Sequence, residues 1–174
     1  SKTLEKYIHE HSQSVDFNYI FPNGSTIFTA IIDDCKAQKK SCLSMINIIK
    51  FLCENGADPN TPNKEGKYPL EISMKCEDKS MSNISIALIN SNKIDFNVKL
   101  NIKKDVIFNQ SYEHDNCEYY IHIAALDKNS SILENMLKNK SVDINIPDFN
   151  GNSPLMISCI KRLVVNIKLF FTRD

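Results

Sequence analysis

The chain has 174 residues, and its 21 basic side chains balance 21 acidic ones, so no global field recruits nucleic acid or an anionic membrane. An apolar fraction of 42% suits a packed core and excludes a disordered chain. No apolar run approaches the roughly 20 residues of a membrane-spanning helix.

The first segment, "SKTLEKYIHEHSQS", lacks a continuous apolar stretch and is not expected to act as a signal peptide. It predicts a helix over about 2–12, with Leu4, Tyr7 and Ile8 on one side and Lys2, Glu5, Lys6 and Glu10 covering the rest. Such a helix suits a solvated outer cap. The initial Ser suggests a piece of a longer protein.

A short pattern then recurs: apolar, Asp, any residue, Asn. "SVDFN" closes at Asn18, "GADPN" at Asn60, "KIDFN" at Asn97 and "SVDIN" at Asn145, with gaps of 42, 37 and 48 residues. A helix-like stripe precedes two of these copies. Met45, Ile48, Ile49, Leu52 and Cys53 lead to Asn60, and Ile132, Leu133, Met136 and Leu137 lead to Asn145. Spacings of three and four place each set on one helical face. Gly56 supplies a left-handed helix stop.

A turn and a second helix start follow each copy. Gly24, Gly66 and Gly151 permit positive φ in the turns. Thr26 and Ser153 are predicted N-caps, and Pro69 and Pro154 open helices where a missing N–H is harmless. In the remaining copy, "YYIHIAA" (119–125) occupies the same slot, with Tyr120 in place of Pro.

These units resemble ankyrin repeats. "ENGADPN", "YYIHIAA", "GKYPLEIS" and "GNSPLMIS" carry the likeness, and it spans essentially the whole chain. The resemblance implies an all-α fold: an ankyrin-repeat solenoid of stacked helix-turn-helix units with β-turn or hairpin tips. One domain, 1–174, is expected, with an N-terminal half-repeat (1–18) and repeats at 19–60, 61–97, 98–145 and 146–174.

The spacings exceed the roughly 33 residues of an ankyrin unit, so two insertions are expected. One falls near 33–44, in the link between two helices, which places Asp33 and Asp34 at a helix end. The other spans 98–118 at a turn tip. Val98, Leu100 and Ile102 alternate with Lys99, Asn101 and Lys103 in a strand-like way, which predicts an ordered finger. The last helix, "RLVVNIKLFF", spreads Leu163, Val164, Ile167, Leu169, Phe170 and Phe171 around its circumference. A terminal repeat needs a polar outer face, so this end is expected to pack on further repeats, a partner or a second copy.

The chain carries no P-loop, no G-x-S-x-G and no H-E-x-x-H. His9 and His11, two apart on a predicted helix, point in different directions. His114 and Cys117 are the only near-ligand pair and lack a second pair at metal spacing. None of the six cysteines forms a C-x-x-C pair, and free thiols are expected. His122 reads as a side chain tied to turn backbone, not as a ligand or base. No enzyme activity, cofactor or metal is expected.

What remains is recognition. The resemblance implies a partner bound along a concave face built from turn tips and first helices. Its exposed variable slots fall on Asn23, Ser25, Asp33 and Asp34, then on Lys64, Glu65, Lys67, Lys75 and Cys76. They continue with Glu118, Leu126 and Asp127, then Phe149, Asn150, Asn152, Ile160 and Lys161. The mixed charges suit a protein partner, not nucleic acid, with Phe149 and Leu126 as candidate anchors. The expected function is a non-enzymatic scaffold or adaptor in the cytoplasm or nucleus, without membrane insertion. The alternative is a regulatory or targeting ankyrin segment of a larger enzyme, channel, or viral or parasite effector.

Overall fold

A computed structural model of the chain describes residues 16–38, 43–76, 78, 80–101 and 117–173. Over these residues the protein is all-helical, with no strand. The helices are α1 (Ile27–Gln38), α2 (Leu43–Glu54), α3 (Pro69–Met74), α4 (Met81–Ile89), α5 (Tyr120–Leu126), α6 (Ser130–Leu137), α7 (Pro154–Ile160) and α8 (Val164–Phe171). The expected helix at 2–12 lies outside the described residues.

The chain divides into two compact units, Ser1–Ile94 and Asp95–Asp174. In the first, α1 packs on α3 and α2 on α4, while α1 also meets α2 and α3 meets α4. The second repeats this plan, with α5 on α7, α6 on α8, and each helix on its own pair-mate. The stripes read from the sequence become the cores. Ile49, Leu52 and Cys53 of α2 are buried in the first unit, and Ile132, Leu133, Met136 and Leu137 of α6 in the second. Ala124 and Ala125 are fully buried, which permits close helix approach.

Short helices need good ends. Pro69 and Pro154 stand in the first turns of α3 and α7, and Ser153 Oγ accepts from the Met156 N–H at 3.4 Å. Thr26 and Thr29 cap α1 reciprocally, each hydroxyl accepting from the other's N–H at 3.3 and 2.8 Å. Asp33 and Asp34 are not at a helix end, because α1 continues through them to Gln38. The first insertion is therefore partly helical extension, and its residues 39–42 lie outside the described set.

Three turns share one geometry. The N–H of Phe21, Asn63 and Asp148 each donates to the carbonyl four residues on, at Ser25, Lys67 and Asn152, all at 2.9 Å. The glycine three residues on has positive φ in every case. Asn63 Oδ1 accepts from Glu65 and Lys67, and Asp148 Oδ1 from Asn150 and Asn152, all within 3.0 Å. In the fourth instance Leu100 N–H donates to the Glu118 carbonyl at 2.7 Å. Glu118 immediately precedes the N-cap Tyr119, as Ser25, Lys67 and Asn152 precede Thr26, Tyr68 and Ser153. The insertion thus replaces a three-residue turn with residues 101–117. The expected strand-like alternation is described only through Asn101, where Leu100 is buried and Lys99 exposed. Residues 102–116, with the rest of the expected finger, lie outside the described residues.

The recurring Asp and Asn hold turns together. In all four copies the Asp Oδ1 accepts from the Asn N–H two residues on, at 2.9–3.0 Å. Three of the asparagine amides also reach forward. Asn60 Nδ2 donates to the Lys93 carbonyl at 2.8 Å, and Asn97 Nδ2 to the Ser141 carbonyl at 3.1 Å. Asn18 donates to the Gly56 carbonyl at 3.5 Å and accepts from the Asp58 N–H at 2.7 Å. Each carbonyl acceptor lies two residues before the Asp of the next copy.

Candidate functional site

In the first unit, the first two turns meet edge to edge. Lys64 N–H donates to the Gly24 carbonyl at 2.9 Å, and Gly24 is buried against the Lys64 stem. This contact gathers Asn23, Ser25, Lys64, Glu65 and Lys67 at one edge. Asn23 Oδ1 accepts from the Ser25 N–H at 3.0 Å, and Lys67 pairs with Glu65 at 3.4 Å. All but half-buried Ser25 are exposed. Asp33 is exposed on α1, 3.7 Å from Lys36, and Asp34 is half-buried.

The same edge carries residues that the sequence reading passed over. Tyr19, Ile20 and Phe21 are all exposed, and the Tyr19 and Phe21 rings meet edge to face with centroids 5.7 Å apart. Their signal in the sequence is "YIFP", three large apolar side chains in a row before a turn, with no helical spacing to account for them. Exposed aromatic groups framed by charged and amide side chains form a surface suited to protein contact.

Several candidate positions are internal. Lys75 is largely buried and its ammonium lies 3.0 Å from the carboxylate of buried Glu71. Cys76 is half-buried. Glu118, expected to be exposed, is buried and salt-bridged to Lys99 at 2.7 Å. That carboxylate raises the Lys99 pKa, through its hydrogen bond and then its charge. Leu126, expected as an anchor, is buried in the second unit, on a helix that packs against α6 and α7.

The fourth turn keeps Asn150 exposed, Phe149 half-buried and Asn152 half-buried, the last donating to Asp148. Asp127 is half-buried, with its Oδ1 on the Asn129 N–H at 2.8 Å. Lys161 and Ile160 are exposed at the end of α7.

The buried titratable groups serve packing. His122 is fully buried, and its Nε2 donates to the Ile146 carbonyl at 3.0 Å, which identifies the neutral tautomer with the proton on Nε2. Nδ1 has no partner, and the Tyr119 ring stands 5.6 Å away. Burial lowers the His122 pKa, outweighing the Ile146 carbonyl and the Asp148 and Glu118 charges, which raise it. Burial pushes the Cys53 thiol up, which leaves it a poor nucleophile. Cys35, Cys53, Cys76, Cys117 and Cys159 are free thiols. Among the described residues no three His, Cys, Asp or Glu side chains gather as a metal site, and His9, His11 and His114 lie outside that set. No helix of the described residues is long and apolar enough to cross a membrane.

Neither a scan against protein-family models nor a search of the curated proteins returns a match to this chain.

Proposed function

We propose that this chain is a non-enzymatic protein-recognition module of the ankyrin-repeat type, acting as a scaffold or adaptor in the cytoplasm or nucleus. The observation that carries this reading is the register of the turns. Three helix pairs enter through the same i to i+4 turn bond, the remaining one enters through the Leu100–Glu118 bond across the insertion, and three asparagines link successive copies. A rigid scaffold of this kind holds its turn tips fixed, which lowers the entropic cost of binding.

The partner-binding edge in this reading is Tyr19–Phe21 with Asn23, Lys64, Glu65 and Lys67. Its mixture of exposed rings, both charges and an amide matches the composition of protein interfaces better than that of a polyanion site. Affinity capture with the full chain, compared with an Ile20→Asp/Phe21→Asp variant of unchanged helical content, tests it. A specific protein lost on substitution supports the reading. Capture that is identical for both proteins contradicts it.

A further inference from the structure

Three of the four glycines follow an asparagine, in Asn23-Gly24, Asn55-Gly56 and Asn150-Gly151. This dipeptide carries a chemistry of its own. The glycine nitrogen can attack the asparagine Cγ, because no Cβ on the glycine obstructs the approach. Attack requires a side-chain amide that is free to turn towards that nitrogen. The fold holds the three amides differently.

Asn55 directly follows α2 and is half-buried, and its Nδ2 donates to the Phe51 carbonyl at 2.8 Å. Asn23 is exposed, yet its Oδ1 accepts the Ser25 N–H at 3.0 Å. Gly24 beside it is buried against the Lys64 stem. Asn150 and Gly151 are both exposed. Among the described residues the Asn150 side chain has no hydrogen-bond partner.

The contrast between Asn23 and Asn150 is set inside the turn. Each stands two residues after the one that opens it, Phe21 or Asp148. Phe21 has no side-chain acceptor, so the Ser25 N–H falls to Asn23. Asp148 Oδ1 takes the equivalent N–H of Asn152 at 2.8 Å, together with the Asn150 N–H at 2.9 Å. The Asn150 amide is left with no backbone donor to hold it. This difference is local to residues 148–152.

We propose that Asn150 is a site of spontaneous deamidation, and that the fold protects Asn23 and Asn55. The Gly151 nitrogen gives its proton to water or hydroxide and forms a bond to Asn150 Cγ. The Cγ–Nδ2 bond breaks and ammonia leaves, closing a succinimide ring. Water then opens the ring at either carbonyl, giving aspartate or isoaspartate at position 150. No oxidant or cofactor enters. The Gly151 N–H donates to the Asp148 carbonyl at 2.9 Å, so the turn must open transiently for each attack. Either product adds a negative charge at the turn tip. Isoaspartate also adds a main-chain carbon within the turn that Asp148 and Asn152 close at 2.9 Å, just ahead of α7. The proposal is independent of any partner at the Tyr19–Phe21 edge.

The test incubates the folded 174-residue chain at mildly alkaline pH in heavy-oxygen water. Peptide mass spectrometry reads the label at each Asn-Gly pair, and enzymatic carboxyl methylation counts isoaspartate. Asn150 should convert about fivefold or more faster than Asn23, the rate equivalent of one hydrogen bond. Asn55 should also lag behind Asn150. In urea the three rates should converge. Phe21→Asp, at an exposed position, places the Asp148 arrangement in the first turn. It should raise Asn23 conversion towards that of Asn150, with helical content unchanged. Any of three results would overturn the proposal. They are Asn150 converting no faster than Asn23 in the folded chain, the same ranking persisting in urea, or a folded Phe21→Asp chain in which Asn23 stays as slow as in the parent.

Discussion

Leu100 donates its N–H to the carbonyl of Glu118 at 2.7 Å, closing across residues 101–117 the same bond that Asp148 closes to Asn152 across three. The insertion therefore enters at one defined point of a turn, just ahead of α5. Replacing residues 101–117 with the tripeptide Lys64-Glu65-Gly66 should preserve the second unit. Shortening the loop returns about 1.5 kcal/mol of closure entropy, against the lost burial of Cys117. Circular dichroism should show unchanged helical content and a melting temperature within a few degrees. Loss of α5 would show that the inserted residues are needed for the fold.

His122 makes stability pH-dependent. Its folded pKa lies below the ordinary 6.5 because burial opposes the charged form, and Nδ1 has no acceptor for a second proton. The unfolded chain therefore takes up the proton first as pH falls through about 6.5, and this contribution to stability is full above that value and declines below it. Denaturation midpoints at about pH 7.5 and about pH 5.5 should fall further for the parent than for His122→Gln, which keeps a donor but cannot titrate. An equal fall in both would assign the pH dependence elsewhere.

The asparagines should separate by what their amides reach. Asn60→Ala loses the 2.8 Å bond to the Lys93 carbonyl and should cost about 1 kcal/mol. The Asn145 amide meets no partner among the described residues, and the backbone bond to Asp143 survives substitution, so Asn145→Ala should lie within about 0.5 kcal/mol of the parent. Urea melts of the two variants check the ordering.

Two glycines with similar backbone angles should respond differently. Gly24 (φ +83°) and Gly151 (φ +80°) both sit in the left-handed region, where an L-residue pays about 1–2 kcal/mol. A Cβ on Gly151 meets open space, whereas on Gly24 it collides with the Lys64 stem, which is anchored by the Lys64 N–H bond to the Gly24 carbonyl. Gly24→Ala should therefore destabilise by about 1 kcal/mol or more beyond Gly151→Ala in thermal melts. Equal losses would mean that the two turns do not meet.

Much of the helix plan was legible because helix ends and stripes are local. Thr26, Pro69, Ser153 and Pro154 mark their starts, and Ile132, Leu133, Met136 and Leu137 carry their spacing into the core. The turn role of the repeated Asp and Asn was readable for the same reason, since the Asp bond spans two residues. What the sequence hid depends on distant partners. Leu126 and Glu118 read as exposed because the resemblance to ankyrin repeats assigns them variable slots, yet Leu126 is buried on α5, which packs on α7, and Lys99 neutralises Glu118. Asn166 is the sole strongly polar residue on the inner side of an apolar helix, and it is buried. Its amide donates to the Ala125 and Asp127 carbonyls at 3.2 and 2.8 Å, a bond that no local pattern encodes. Tyr19–Phe21 went unread because an apolar run before a turn resembles core until its exposure is known.

The central claim is that one helix-pair unit recurs four times, with the third turn opened around an insertion. Amide hydrogen exchange at Phe21, Asn63, Leu100 and Asp148 tests it most directly, because those four N–H groups close the four turns. The account predicts that all four are protected, each about 100-fold or more relative to an open chain. Protection at Phe21, Asn63 and Asp148 with free exchange at Leu100 would contradict it.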